Sequence, residues 1–477
     1  MLKKLIVVSF LIFLGFQNWA KSDTTIIFGN NVEYAHQIIK VYTYDDYITR
    51  KLVLLASDTV NSDGNFRFEF QLTETKLLYI PLGYYNGMLY ANTDSKYEVM
   101  LPERRDLTFA DILNPYFQKV EFFLGIKGDN PYEINRLIFE FDDILERYID
   151  QNYYEIYQKP IQDSVDLVID NIEKLFDTVP NTFFKNYRTY KYALLKYSSY
   201  MRNNLYVTKD YFNEMPIRYQ NVSYMDLFNQ LYTNYLLFYM NKSEGERLYS
   251  DIALAKSPSM AKETFSNNLV LTNDSIQELV LLKGLNDACY GKEFPFASLI
   301  ITLDSIANAS SIHEHRKIAK NIIALATQAK VGYQAPNFEL RDALGPFRKR
   351  TNYLANYVYL NFCSIKSFAC QQDFELLKGL HEKYKTEFKI ISISIDEDFD
   401  EAKMYFKDKG YEWTLLSFND EKSVIEKYKV RAYPTYYLIG PKGKLIMSPA
   451  LSPGENFEYH FFNYMRNVKR QDLRNNR

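Results

Sequence analysis

The chain has 477 residues, 47% of them hydrophobic and 24% charged, with a formal net charge of −2. That length suggests about three domains, and the composition is that of an ordinary globular protein. The charge balance argues against a nucleic-acid binder, because neutralising phosphates needs an excess of Lys and Arg. The 42 Tyr and 34 Phe read as packing residues rather than as a carbohydrate or nucleotide platform.

The N-terminus reads MLKKLIVVSFLIFLGFQNWA. Lys3 and Lys4 form a positive start, residues 5–16 an apolar run, and Ala20 a cleavage residue, which is the pattern of a signal peptide over 1–20. The run is too short for a bilayer, which takes roughly 20 apolar residues. No cysteine follows it to carry a lipid, and no later segment is long and apolar enough to span. Export to the periplasm or cell envelope is expected, with no membrane span after cleavage.

Residues 21–104 read as a β-rich domain. Short strand-like runs such as IIKVYTY, NFRFEFQL and KYEVMLP are separated by the turn signals NSDG and NTDS. Phe66, Phe68 and Phe70 alternate with polar residues and define one buried face. The expectation is a small antiparallel sandwich without a catalytic constellation.

Residues 105–330 change to helical spacing, with Ile134, Leu137, Ile138, Phe141 and Leu145 as one stripe and Val165, Val168, Ile172 and Phe176 as another. Further helices are expected at 223–241, 275–289 and 312–328, giving an all-α middle domain. The HEH run places His313 and His315 two residues apart, so on a helix they diverge, and no third ligand is near in sequence. No metal or cofactor is expected.

From 331 strands and helices alternate. VYLNF, ISISID and WTLLSF are apolar strands. Helices are expected at 367–385 and 399–410 and from about 454, and TYYLIG-PKGK-LIMSPA reads as a hairpin. Such alternation implies an α/β sheet covered on both faces.

Four stretches in order, APNFEL, VYLNF with its helix, ISISID and VRAYPTYYLIGPKGKL, carry a resemblance to the thioredoxin fold of the exported TlpA/ResA-like group. The resemblance covers about the last 140 residues and implies thiol–disulfide exchange with protein substrates. A β-rich domain and a helical segment ahead of such a domain also resemble envelope proteins of this type.

The group places C-x-x-C at a helix start, where the helix N-terminus lowers the pKa of the attacking thiol and a second thiol resolves the mixed disulfide. Aligned on NF, the first cysteine position is Ser367 and the second is Cys370, so the motif here is SFAC. The group's tryptophan positions are taken by Cys363 and Lys366, and Asn361 stands where many thioredoxins carry a buried acid. A hydroxyl cannot replace a thiolate, and Ser is a favoured helix N-cap. Cys370 has three readings: a buried core residue, a disulfide partner of Cys363 if the geometry allows, or a lone reactive thiol. The last has a parallel in peroxiredoxins, which carry Thr or Ser three residues before their cysteine but also a preceding proline that is absent here. Tyr433 and Pro434 match the loop that carries the family's cis-proline and pairs with extended peptides.

Three functions follow as expectations. The first is an exported protein of the TlpA-like lineage with a degenerate site and at most a residual redox role. The second is a non-catalytic peptide-binding module. The third is a one-cysteine peroxidase.

Overall fold

The computed structural model describes residues 24–158, 162–199, 204–213, 215–268 and 271–475. The expected signal peptide lies outside the described residues.

The N-terminal part is a sandwich of two sheets. Its strands are β1 (Thr24–Asn30), β2 (Ile38–Tyr44), β3 (Leu52–Thr59), β4 (Asn65–Gln71), β5 (Lys76–Leu82), β6 (Tyr85–Ala91), β7 (Lys96–Met100), β8 (Val120–Phe123) and β9 (Gly125–Ile126). One sheet has the order β4-β1-β7-β9 and the other β3-β2-β5-β6-β8. Phe66, Phe68 and Phe70 turn inward, and with Ile27, Val41, Leu78 and Leu89 they form the core between the sheets. The sandwich is not wholly antiparallel: β1–β7 and β6–β8 are parallel pairs. Parallel neighbours need a long connection, and in each case the chain between the paired strands supplies one. β8 and β9 carry the sheets past the point where helical spacing begins in the sequence.

The five-stranded sheet offers its outer face to the helices. Leu77, Tyr79 and Tyr90 pack against Ile134, Phe141, Phe184 and Tyr187. β8 pairs with β6 only as far as Met88. Beyond it, Asn135 takes over the strand's backbone, accepting from Tyr90 N–H at 2.6 Å and donating to Tyr90 O at 2.8 Å.

The helical part includes Ile134–Gln151, Gln162–Phe176, Thr182–Ser199, Asp274–Ala288, Phe296–Ala309 and His313–Thr327. The helix expected at 223–241 is two, Val222–Leu231 and Tyr235–Met240, broken at Asn234. Asn234 takes a left-handed conformation with φ 52°, which Asn tolerates better than most residues, and its N–H donates to Asp287.

The C-terminal part has β10 (Glu339–Arg341), β11 (Phe347–Lys349), β12 (Tyr357–Cys363), β13 (Phe388–Ser394), β14 (Thr414–Ser417), β15 (Thr435–Ile439) and β16 (Leu445–Ala450). β12 to β16 form one sheet in the order β14-β13-β12-β15-β16, parallel across β12, β13 and β14 and antiparallel across β15 and β16. The APNFEL stretch does not enter this sheet. Its strand residues, in β10, pair with β11 in a separate ribbon.

Alternation along β12 sends Val358, Leu360 and Phe362 to one face and Tyr359 and Cys363 to the other. The second face is covered by the helices Phe368–Tyr384, Phe399–Lys409 and Phe457–Asn475. The first is covered partly from outside the domain. Phe109, Ile112 and Leu113, on the short helix Phe109–Leu113 that follows the sandwich's β7, pack against it.

Candidate thiol site and peptide loop

The end of β12 delivers the chain to the helix Phe368–Tyr384 through residues 364–367. Ser367 has extended backbone, φ −89° and ψ 121°, and its Oγ accepts from the N–H of Cys370 at 3.4 Å. It is a helix N-cap, satisfying one of the donors that every helix start leaves open.

Cys370 lies in the first turn, fully buried, and Cys363 is 2% exposed. Both belong to one apolar cluster with Phe374, Leu377 and Trp413. Both are free thiols, as is the buried Cys289. Burial pushes the Cys370 thiol above its ordinary value, although Ser367 and the backbone of Ser364 pull it down. Cys363 is pushed well above by burial, and next by Cys370 and Asp396. The two cysteines are thus near neighbours, both held protonated at neutral pH. Thiol exchange and peroxide reduction both go through an accessible thiolate, whereas both thiols here are buried and their pKa is raised.

Sequence reasoning passed over Asp396, just beyond β13. It is 2% exposed. Its carboxylate accepts from Ser364 Oγ–H, from Ile365 N–H at 3.1 Å and from Ser394 Oγ–H at 2.9 Å. It anchors the turn that aims the helix start. The signal available in the sequence was an acid directly after an apolar strand, where a buried carboxylate needs several donors.

Asn361 shares the face of Tyr359 and Cys363 and is fully buried, and neither its Oδ1 nor its Nδ2 has a hydrogen-bond partner among the described residues. An unpartnered buried amide costs about 1–3 kcal/mol in proteins. Asn361→Leu, of similar size, is expected to raise stability by about that amount, read as a higher denaturant midpoint with an unchanged slope. A lower midpoint would contradict this account.

β15 pairs with β12 so that Thr435 faces Phe362. This register sets the preceding Tyr433 and Pro434 beside the end of β12 and the turn that follows it. The Tyr433-Pro434 peptide bond is cis. Tyr433 is half-buried and packs between the apolar clusters of the two sheet faces. Phe368, the first residue of the helix, is 72% exposed. Lys366 is exposed and pairs with Glu401 at 3.2 Å. The structure therefore gathers Cys363, Ser367, Cys370, Tyr433 and Pro434 at one end of the sheet.

The two histidines of the HEH run separate as expected of a helix. His313 is exposed and His315 is buried. His315 Nδ1 contacts Glu278 and Nε2 contacts the Tyr219 hydroxyl, each at 2.8 Å. Both ring nitrogens are engaged, and the trio ties three segments of the helical part together.

Residues 331–448 match the family described as AhpC/TSA. Over 136 residues the chain is 23% identical to the thiol-disulfide oxidoreductase ResA of Bacillus subtilis, covering 28% of this chain and 75% of that protein. It is 25% identical over 140 residues to the ResA of a Bacillus thuringiensis strain, covering 29% of this chain and 79% of that one. A solved structure, the thioredoxin domain of a thiol-disulfide oxidoreductase from Bacteroides vulgatus, shares 21% identity, covers 27% of this chain and 94% of that chain, and has a TM-score of 0.26. None of the helices among the described residues is long and apolar enough to cross a membrane. The C-terminal part, at residues 331–448, is a thioredoxin-fold domain of the AhpC/TSA family, similar to the ResA-like thiol–disulfide oxidoreductases.

Proposed function

We propose that this is an exported envelope protein of the TlpA-like thiol–disulfide lineage in which ordinary dithiol turnover is lost and binding of extended protein segments is retained. The observation that carries the reading is Ser367 at the attacking position, engaged as an N-cap, with Cys370 fully buried behind it. Export rests on the sequence of residues 1–20. Peptide binding is supported by the exposed Phe368 and by the position of Tyr433 and Pro434 beside the helix start.

A one-cysteine peroxidase is the weaker alternative, because peroxide must reach a thiolate and Cys370 is neither exposed nor low in pKa.

The test combines disulfide reduction, peroxide consumption and peptide binding on the native protein. Reduction of a protein disulfide by dithiothreitol is expected to run at the uncatalysed rate, with Cys370→Ser equal to the native chain. Fluorescence anisotropy with a labelled extended peptide is expected to show binding that is independent of both cysteines and weakened by substitution of Tyr433 or Pro434. Reductase or peroxidase activity that vanishes in Cys370→Ser would overturn the reading.

A further inference from the structure

A cavity of about 840 Å³ lies between residues 104–119, which follow the first strands of the sandwich, and residues 422–431 of the thioredoxin-like domain. That volume is of the order that small-ligand sites occupy. Its walls are partly apolar, at Ile112 and Ile425 among others, and its charge is lopsided. Arg104 is neutralised by Asp106 through two hydrogen bonds. Asp111 is taken up by the N–H and hydroxyl of Thr108. Lys119 on one wall and Lys422, Lys429 and Arg431 on the other face a single remaining acid, Glu426. None of these four cations is in an ion pair among the described residues.

Lys429 is the most telling of the four. It has φ 56°, a left-handed conformation, just past the short helix Val424–Lys427. Its N–H donates to Glu426 O at 3.0 Å, closing the helix. Glycine is the residue that suits this position. Here a lysine holds it, and burial, Lys330 and Arg431 lower its pKa. It adds a cation beside Lys330 and Arg431 at this wall of the cavity.

The cavity lies close along the chain to the loop of Tyr433 and Pro434. Arg431 lines it, and Tyr433 follows two residues later, within about 7 Å of chain. A segment seated on Tyr433 and Pro434 therefore reaches the cavity without a long detour. Cations on opposite walls, rather than around one point, suit several carboxylates spaced along a strand.

We propose that this cavity binds the carboxylate side chains of an acidic extended peptide whose neighbouring residues lie on the loop of Tyr433 and Pro434. The inference rests on the peptide-binding reading above, and it adds a substrate class and makes the sandwich side one wall of the site.

The experiment uses the full chain and two fluorescein-labelled peptides, one alternating Glu and Val, the other with Gln in place of Glu. Anisotropy is expected to show the Glu peptide binding about tenfold more tightly at low salt, with the preference shrinking as salt rises. Lys422→Glu and Lys429→Gly are each expected to weaken the Glu peptide by about threefold or more and leave the Gln peptide unchanged. Lys429→Gly relieves the backbone, so it is expected to melt at or above the native temperature, which separates lost binding from lost folding. Equal affinity for the two peptides, or no effect of either substitution, overturns the acidic site and leaves the peptide-binding reading standing. Failure of both peptides to bind overturns both.

Discussion

Ser367→Cys is expected to give this protein a disulfide-reductase activity well above that of the native chain. The substitution puts a thiol at the helix N-cap, where φ −89° and ψ 121° suit any residue. The helix N-terminus there favours a thiolate, whereas Cys370, one turn inside and buried, is pushed the other way. The thiolate introduced at the cap would attack a substrate disulfide. One substrate sulfur bonds to it and the other leaves as a thiolate. Cys370 then displaces the bound sulfur, forming a disulfide between positions 367 and 370 that an external dithiol reduces. The expected gain is on the order of 10²-fold over the native background, modest beside the roughly 10⁶-fold that loss of a nucleophile costs elsewhere. Losing the serine cap costs about 0.5–2 kcal/mol, so a folded variant is expected, checked by circular dichroism. Cys370→Ser combined with Ser367→Cys should stop at the mixed disulfide, visible by mass spectrometry as a trapped adduct. A folded Ser367→Cys variant no more active than the native chain would mean that the loop of Tyr433 and Pro434 does not bring disulfide substrates to position 367.

That prediction rests on a site whose scaffold was legible in the sequence for a physical reason. An apolar run ending at Cys363, a serine able to cap, and a helix-periodic stretch are all local signals. They gave β12 (Tyr357–Cys363) and the helix Phe368–Tyr384 with its cap at Ser367. What stayed hidden depends on contacts across the chain. Asp396 is only the last letter of the ISISID run until three donors from two segments converge on it. The pairing of APNFEL with β11 rather than with the main sheet is likewise set by tertiary placement, since β10 holds only Glu339–Arg341. Asn234 breaks a stretch whose apolar spacing continues on both sides, because its N–H finds Asp287 53 residues away in the chain. The cation cavity could not be read at all, because its walls are more than 300 residues apart, at Lys119 and Lys422.

Asp396→Ala is expected to be the most destabilising single substitution near the site, by about 3–5 kcal/mol. The carboxylate accepts three hydrogen bonds while only 2% exposed. Bonds to a charged acceptor contribute about 1.5–3 kcal/mol each, and the three do not add fully because they share one group. Removing the acceptor leaves the Ile365 N–H buried without a partner, while the hydroxyls of Ser364 and Ser394 can rotate toward others. Asp396→Asn should cost less, because its amide oxygen can still accept from one side. The distinguishing observation concerns the turn rather than global stability. In Asp396→Ala at a temperature where the chain stays folded, amide hydrogens at residues 364–367 should exchange faster, while those of β12 and β13 keep their protection. Cys370 should then react with iodoacetamide faster than in the native chain, because the turn that covers it has lost its anchor. If Cys370 stays unreactive and the turn stays protected, Asp396 is only a satisfied buried charge, and the rigidity of the helix start comes from packing alone.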